Sequence, residues 1–199
     1  LEVPEGSPVE GYDAPAGSVD KMVYAPDGRT FAAVTQRGDV RLWDADTGQP
    51  HQVQPESVGG AYRSPLAMSD TLFAYQSYTS PTGPTALWDI DAQAPWKWQP
   101  PGPLDDSYPE FPPPASPMTT YLALSQNGLL ARSFSASPLT TSVEVWDTNT
   151  GTVVAGPISV DGSHEAVALS DDGTLLAASV VSPDQSSLDL ELIDVRTGT

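Results

Sequence analysis

One unit returns four times along the chain, and this constrains the fold more than any other property of the sequence. At its first appearance it reads "VYAPDGRTFAAVTQRGDVRLWDADTG", from Val23 to Gly48. An apolar stretch meets a Pro-Asp-Gly turn, a second apolar run follows, and an Arg-Leu-Trp-Asp ending leads into Thr-Gly. "ALSQNGLLARSF" with "SVEVWDTNTG" repeats it from Ala123 to Phe134 and Ser142 to Gly151. "ALSDDGTLLAASVV" with "LDLELIDVRTG" repeats it from Ala168 to Val181 and Leu188 to Gly198. A weaker form, "LAMSDTLFAYQSY" with "TALWDIDAQ", occupies Leu66 to Tyr78 and Thr85 to Gln93. Trp43, Trp88, Trp146 and Ile193 then align at intervals of 45, 58 and 47 residues (88 − 43, 146 − 88, 193 − 146). Such a period marks a repeat architecture, in which each unit covers the apolar face of its neighbour.

Each unit reads as short strands. Met22 and Tyr24, then Phe31 and Val34, then Val40 and Leu42 give apolar alternation broken by tight turns. Asp27-Gly28, Asn127-Gly128 and Asp172-Gly173 are hairpin signals, because glycine tolerates positive φ. The second unit has Ser69-Asp70-Thr71 at that place, and Thr47-Gly48, Thr150-Gly151 and Thr197-Gly198 mark a later turn. One unit is therefore three strands and a following fourth, such as "QPHQVQP" after Gly48. A content of 39% hydrophobic residues in regular short runs predicts a packed protein despite 21 prolines and 16 glycines.

These residues resemble the WD-repeat β-propeller family, in a degenerate and bacterial form. The resemblance rests on "VDKMVYAPDG", "RLWDADTG", "LALSQNG", "VEVWDTNTG" and "VALSDDG", and covers the chain from about Val19 onward. It implies an all-β, propeller-type array of four four-stranded antiparallel blades packed radially. The blades are expected at about 19–60, 61–100, 118–160 and 161–199. The N-terminal segment 1–18 either completes the last blade with "SPVEGY" and closes the ring, or the chain is a fragment of a larger propeller. The chain opens without Met, so an upstream segment is expected to have been removed. The family's buried network of Asp, His, Ser or Thr and Trp is expected to be altered. Arg37, Thr82 and Thr140 stand where the family has Asp, and His164 lies nearer its strand than the family's His.

The chemistry of catalysis is thin. The chain has no cysteine, so it has neither a disulfide framework nor a thiolate site, and its redox compartment stays open, with the cytoplasm ranked ahead of an extracellular setting. His51 and His164 lie in no recognisable motif, and no nucleophile elbow or phosphate loop occurs. Both histidines are expected to be structural. Pairs such as Asp89 with Asp91, and Asp171-Asp172, raise calcium, but the alternating pattern of an EF-hand loop is missing and turn chemistry is expected instead. No enzyme activity, metal or cofactor is expected.

A net charge of −18 repels nucleic acid and anionic lipid, and no apolar run reaches the roughly 20 residues of a membrane span. The expected partner is another protein, with a basic surface. The Pro-rich insert at 100–117 is the expected binding loop, since insertions between repeats map to loops on one face. Asp105, Asp106 and Glu110 would orient such a partner, and Tyr108 and Phe111 would supply buried area. Just before it, Trp96 and Trp98 are expected to cover the sheet edge, while Trp43, Trp88, Trp146 and Ile193 are expected to be structural. The function these features imply is a non-enzymatic interaction or scaffold module of a larger bacterial signalling or regulatory protein. The alternatives are a small-ligand-binding or enzymatic propeller using the channel mouth or the long loop, and a structural oligomerisation unit. A homo-oligomer follows if the ring does not close within one chain.

Overall fold

The computed structural model describes residues 18–55, 65–76, 85–100, 119–137, 140–161, 163–182 and 187–198. They form four antiparallel sheets, one per repeat, and no helix occurs among them. The first sheet orders β1 (Val19–Tyr24), β2 (Thr30–Thr35) and β3 (Val40–Asp44). The second runs β4 (Leu66–Met68), β5 (Leu72–Gln76), β6 (Thr85–Asp89) and β7 (Ala94–Pro95). The third runs β8 (Thr119–Leu124), β9 (Leu129–Ser137), β10 (Thr140–Asp147) and β11 (Thr152–Asp161). The fourth has β12 (Ser163–Leu169), β13 (Leu175–Val181) and β14 (Leu188–Asp194).

Local chemistry explains the turns. Gly28, Gly128 and Gly173 between the first two strands have φ of +75°, +86° and +67°, and Gly48, Gly151 and Gly198 after the third have +69°, +72° and +71°. The second repeat turns without glycine: Ser69 N–H donates to the Leu72 carbonyl (2.9 Å) and Leu72 N–H donates to Ser69 Oγ (3.1 Å), the same pair of bonds that Ser125 makes with Leu129, closed over a shorter turn.

Among the described residues the expected four strands per blade hold for the second and third sheets. Among the described residues the first and fourth sheets have three. In the first, the would-be outer strand shrinks to a bridge between Trp43 and Pro50. A side chain does the rest: Leu42 N–H donates to Gln54 Oε1 (2.8 Å), and Gln54 Nε2 donates back to Leu42 O (3.2 Å). The second sheet repeats the device with Gln99 on Leu87, at 2.7 and 2.9 Å. A side-chain amide presents an N–H donor beside a carbonyl acceptor, as a neighbouring strand's backbone would, so each glutamine satisfies both backbone groups of one leucine, and its second N–H donates to His51 O or Trp96 O.

Apolar faces then stack sheet on sheet. Ala32, Val34, Val40 and Leu42 of the first meet Met68, Phe73, Tyr75 and Trp88 of the second. Ala67, Ala74 and Leu87 of the second meet Leu122, Leu130 and Trp146 of the third. Ala131, Val143 and Val145 of the third meet Leu176 and Ile193 of the fourth. Each sheet thus has two unlike faces. One carries the residue before the Trp position, opposite an alanine. The other carries the Trp position itself. Each fully buried leucine, valine or aromatic on these faces contributes roughly 1.5–3 kcal/mol.

Candidate interaction surface

The pleat sends alternate residues to opposite faces, so the two ends of the array show which faces no other described sheet covers. In β14, Ile193 points into the core and is 6% exposed. Leu188, Leu190 and Leu192 point the other way and are 67%, 71% and 65% exposed. At the opposite end, Met22 and Tyr24 of β1 are similarly exposed. Tyr24 leans on Phe31 (ring centroids 5.3 Å apart), which stacks on Trp43 (4.9 Å).

Between these ends the inner turns join one another. Asp27 N–H donates to Asp70 Oδ1 (2.9 Å), and Asp70 N–H donates to Gln126 Oε1 (3.1 Å). Gln126 N–H donates to Asp171 O (3.0 Å), and Asn127 Nδ2 donates to Asp172 O (2.6 Å). One chain of hydrogen bonds therefore links all four repeats along one rim. The second and third sheets are also pinned by tryptophan. Trp96 Nε1 donates to Thr148 O (2.9 Å), and Trp98 packs on Trp146 with centroids 5.4 Å apart. A Cβ on Gly151 would come within 2.6 Å of the Trp98 ring, so this turn needs glycine for space as well as for φ.

Aspartates are occupied by their own turns. Asp172 is held below the usual carboxylate range by the Ser170 hydroxyl, then by Thr174; Asp44 by the hydroxyl and N–H of Thr47; Asp194 by the N–H of Arg196. Asp89 accepts from Ala92 N–H (2.8 Å). Among the described residues no three His, Asp or Glu side chains gather as a metal site.

One ion pair is internal. Arg132 on β9 faces Glu144 on β10, with Nη2 to Oε2 at 2.8 Å and side-chain exposures of 0% and 7%. The same oxygen accepts from Trp146 Nε1 (3.1 Å). The Nε1 atoms of Trp43 and Trp88 are buried and make no hydrogen bond. The three indole N–H groups thus differ in their polar contacts from repeat to repeat.

His51, half-buried after β3, donates its N–H to Leu42 O (2.9 Å), while its Nδ1 is buried without a hydrogen bond. Loss of solvent pushes its pKa down, and Asp44 and Asp91 push it back only in part. A base with a lowered folded-state pKa binds its proton better when unfolded, so its stabilising contribution is complete above the unfolded value near 6.5 and is lost as pH falls below it. Melting temperature should therefore decline from pH 7 to pH 5, and His51→Gln should flatten that decline; an unchanged slope in the variant would assign the dependence elsewhere. The aspartates act in a separate window: their lowered pKa values stabilise the fold above about pH 3.8 and lose that effect below it.

The tryptophans aligned in the sequence, Trp43, Trp88 and Trp146, are 3–5% exposed, and Ile193, 6% exposed, takes the equivalent place in the fourth repeat. His164 falls in β12 opposite Val180. The loop residues Asp105, Asp106, Tyr108, Glu110 and Phe111 lie outside the described residues, as does the segment 1–17. Sequence reasoning passed over the leucine row and the Arg132–Glu144 pair. The row had a signal, since "LDLELID" alternates leucine with acid.

No family model matches the chain, and no curated protein matches it. Solved structures do. TolB from Acinetobacter baumannii superimposes with a TM-score of 0.59 at 15% identity, over 92% of this chain and 42% of that one. Hydrazine synthase from Kuenenia stuttgartiensis superimposes with a TM-score of 0.62 at 17% identity, over 89% of this chain and 46% of that one. Both neighbours contain β-propellers, and the fold of this chain is a β-propeller-type array. The chain spans less than half the length of either.

Proposed function

We propose that this is a non-enzymatic protein–protein interaction module, built from degenerate WD-type repeats and belonging to a larger regulatory or signalling assembly. The observation that carries the proposal is the row Leu188, Leu190, Leu192, about two-thirds exposed along one strand. Single exposed leucines are ordinary, but a contiguous apolar row on a sheet face marks a place where another surface sits. The row has a rigid mount, because the fourth sheet packs on the third through Leu176 and Ile193 and its turn joins the hydrogen-bonded rim. The acidic field around it, from a net charge of −18, speeds the approach of partners whose rim is basic.

A photoreactive amino acid placed at position 190 in cells tests this. The expected result is a covalent adduct to a discrete protein species, absent when the same group is placed at the exposed Thr152. Equal, diffuse labelling from both positions would reject the interaction role.

A further inference from the structure

The hydrogen-bonded rim contains one chemically reactive link. The chain has two asparagines, Asn127 and Asn149, and of these Asn127 alone is followed by glycine. Asparagine is thermolabile, because the next backbone nitrogen can attack its side-chain amide. Gly128 has no Cβ to hinder that approach, whereas Thr150 after Asn149 is β-branched. Asn127 is exposed, at the turn between β8 and β9.

The three glycine turns of the rim differ at this place. In each, the glycine N–H donates to the carbonyl three residues back. The distance is 2.9 Å from Gly28 to Ala25 O, 2.8 Å from Gly173 to Ser170 O, and 3.3 Å from Gly128 to Ser125 O. The Gly128 nitrogen is therefore the most loosely held. The preceding residue differs too. Asp27 and Asp172 fold their carboxylates back onto their own turns, accepting from Arg29 N–H (2.9 Å) and Thr174 N–H (3.0 Å). Asn127 reaches across to the next repeat instead. Its Nδ2 donates to Asp172 O (2.6 Å), and its Oδ1 accepts from Ser125 Oγ (2.5 Å). The carboxamide thus ties the third repeat to the fourth, beside the backbone bond from Gln126 N–H to Asp171 O (3.0 Å).

We infer that Asn127-Gly128 is a self-modifying site, at which the Gly128 nitrogen converts Asn127 to an aspartyl or isoaspartyl residue and so cuts the side-chain tie between the third and fourth repeats. The Gly128 nitrogen gives its proton to hydroxide and bonds to Asn127 Cγ. The Cγ–Nδ2 bond breaks, and ammonia leaves with a proton from water. Water then opens the resulting cyclic imide, at Cγ to give aspartate or at the backbone carbonyl to give isoaspartate. The sum is amide and water to acid and ammonia, with no change of oxidation state. The atom that departs is the donor to Asp172 O. A carboxylate oxygen then stands opposite a carbonyl oxygen, with no proton between them, and the bond is lost. The isoaspartyl form also adds a methylene to the backbone of a tight turn. The equivalent Asp172 resists the same attack, because the Ser170 hydroxyl and Thr174 keep it ionised and a carboxylate is a poor electrophile. The fold sets the pace at Asn127. While the joint is closed both ends of the carboxamide are held, so conversion proceeds from the locally opened joint.

The test is peptide mapping by mass spectrometry of the whole chain, incubated at mildly alkaline pH in native buffer and in urea. Aspartate and isoaspartate should accumulate at position 127, not at 149, and in native buffer about tenfold more slowly than in urea, because the joint must open first. A native sample that stays unconverted while the urea sample converts overturns the site. Equal rates in the two overturn its coupling to the joint. The consequence is read on Asn127→Asp, which carries the aspartyl product from the start. The Gln126 amide reports the neighbouring bond to Asp171 O, and its hydrogen exchange should quicken by about tenfold in that variant. Asn149→Asp should leave that exchange unchanged. A Gln126 amide that exchanges at the parent rate in Asn127→Asp would show that the carboxamide ties nothing together, and would overturn the inference.

Discussion

Replacing Glu144 with alanine should destabilise the fold by about 3–5 kcal/mol, the cost of stranding one partner of a buried ion pair. Arg132 is fully buried, and its guanidinium lies about as far from the Trp146 ring as from that of Phe134, at 5.9 and 6.0 Å. The Glu144 carboxylate accepts from Arg132 and from Trp146 Nε1 with the same oxygen. Its loss removes the counter-ion and leaves an indole N–H unpaired together. The pair is nevertheless weak evidence for stability, because two charges lose their hydration to form it. Arg132→Met combined with Glu144→Leu should therefore recover most of the loss. Urea unfolding of the single and double variants would show this as a strongly non-additive cycle. A Glu144→Ala variant within about 1 kcal/mol of the parent would mean that water reaches the site and solvates the arginine.

Trp88→Ala should cost a similar amount, about 3–5 kcal/mol. Its ring lies at the joint of the first two sheets, against Phe73, Leu42 and Val40, and the surrounding strands cannot collapse into the space without breaking their ladders. The milder Trp88→Phe separates packing from polarity. Trp88 Nε1 is buried without a hydrogen bond, so the substitution loses ring area and relieves an unsatisfied donor. Trp146→Phe loses the bond to Glu144 as well and should be the more costly of the two. Thermal unfolding of the three variants decides the matter. If Trp88→Ala kept the parent melting temperature, the tryptophan series would not be the core of the repeat.

What the sequence determined by itself was the repeat and its local geometry. Asp27-Gly28, Asn127-Gly128 and Asp172-Gly173 specify hairpins because few residues other than glycine accept positive φ. The aligned Trp43, Trp88, Trp146 and Ile193 mark one face of one strand in every unit because the period of a strand is two. Those signals act within a few residues, so they survive in a single sequence. The strand count of the first sheet did not, since Gln54 does there with a side chain what an outer strand does with its backbone, and no hydrophobic alternation records that. Nor did the pairing of Arg132 with Glu144, which depends on the register of two strands joined across residues that carry no pattern. The free surface was the least legible of all. Leu192 and Leu42 are the same residue at the same place in the same repeat, yet one is 65% exposed and the other is buried. Burial is a property of the neighbouring sheet and not of the strand, so only the tertiary arrangement shows which of four equivalent faces another described sheet covers.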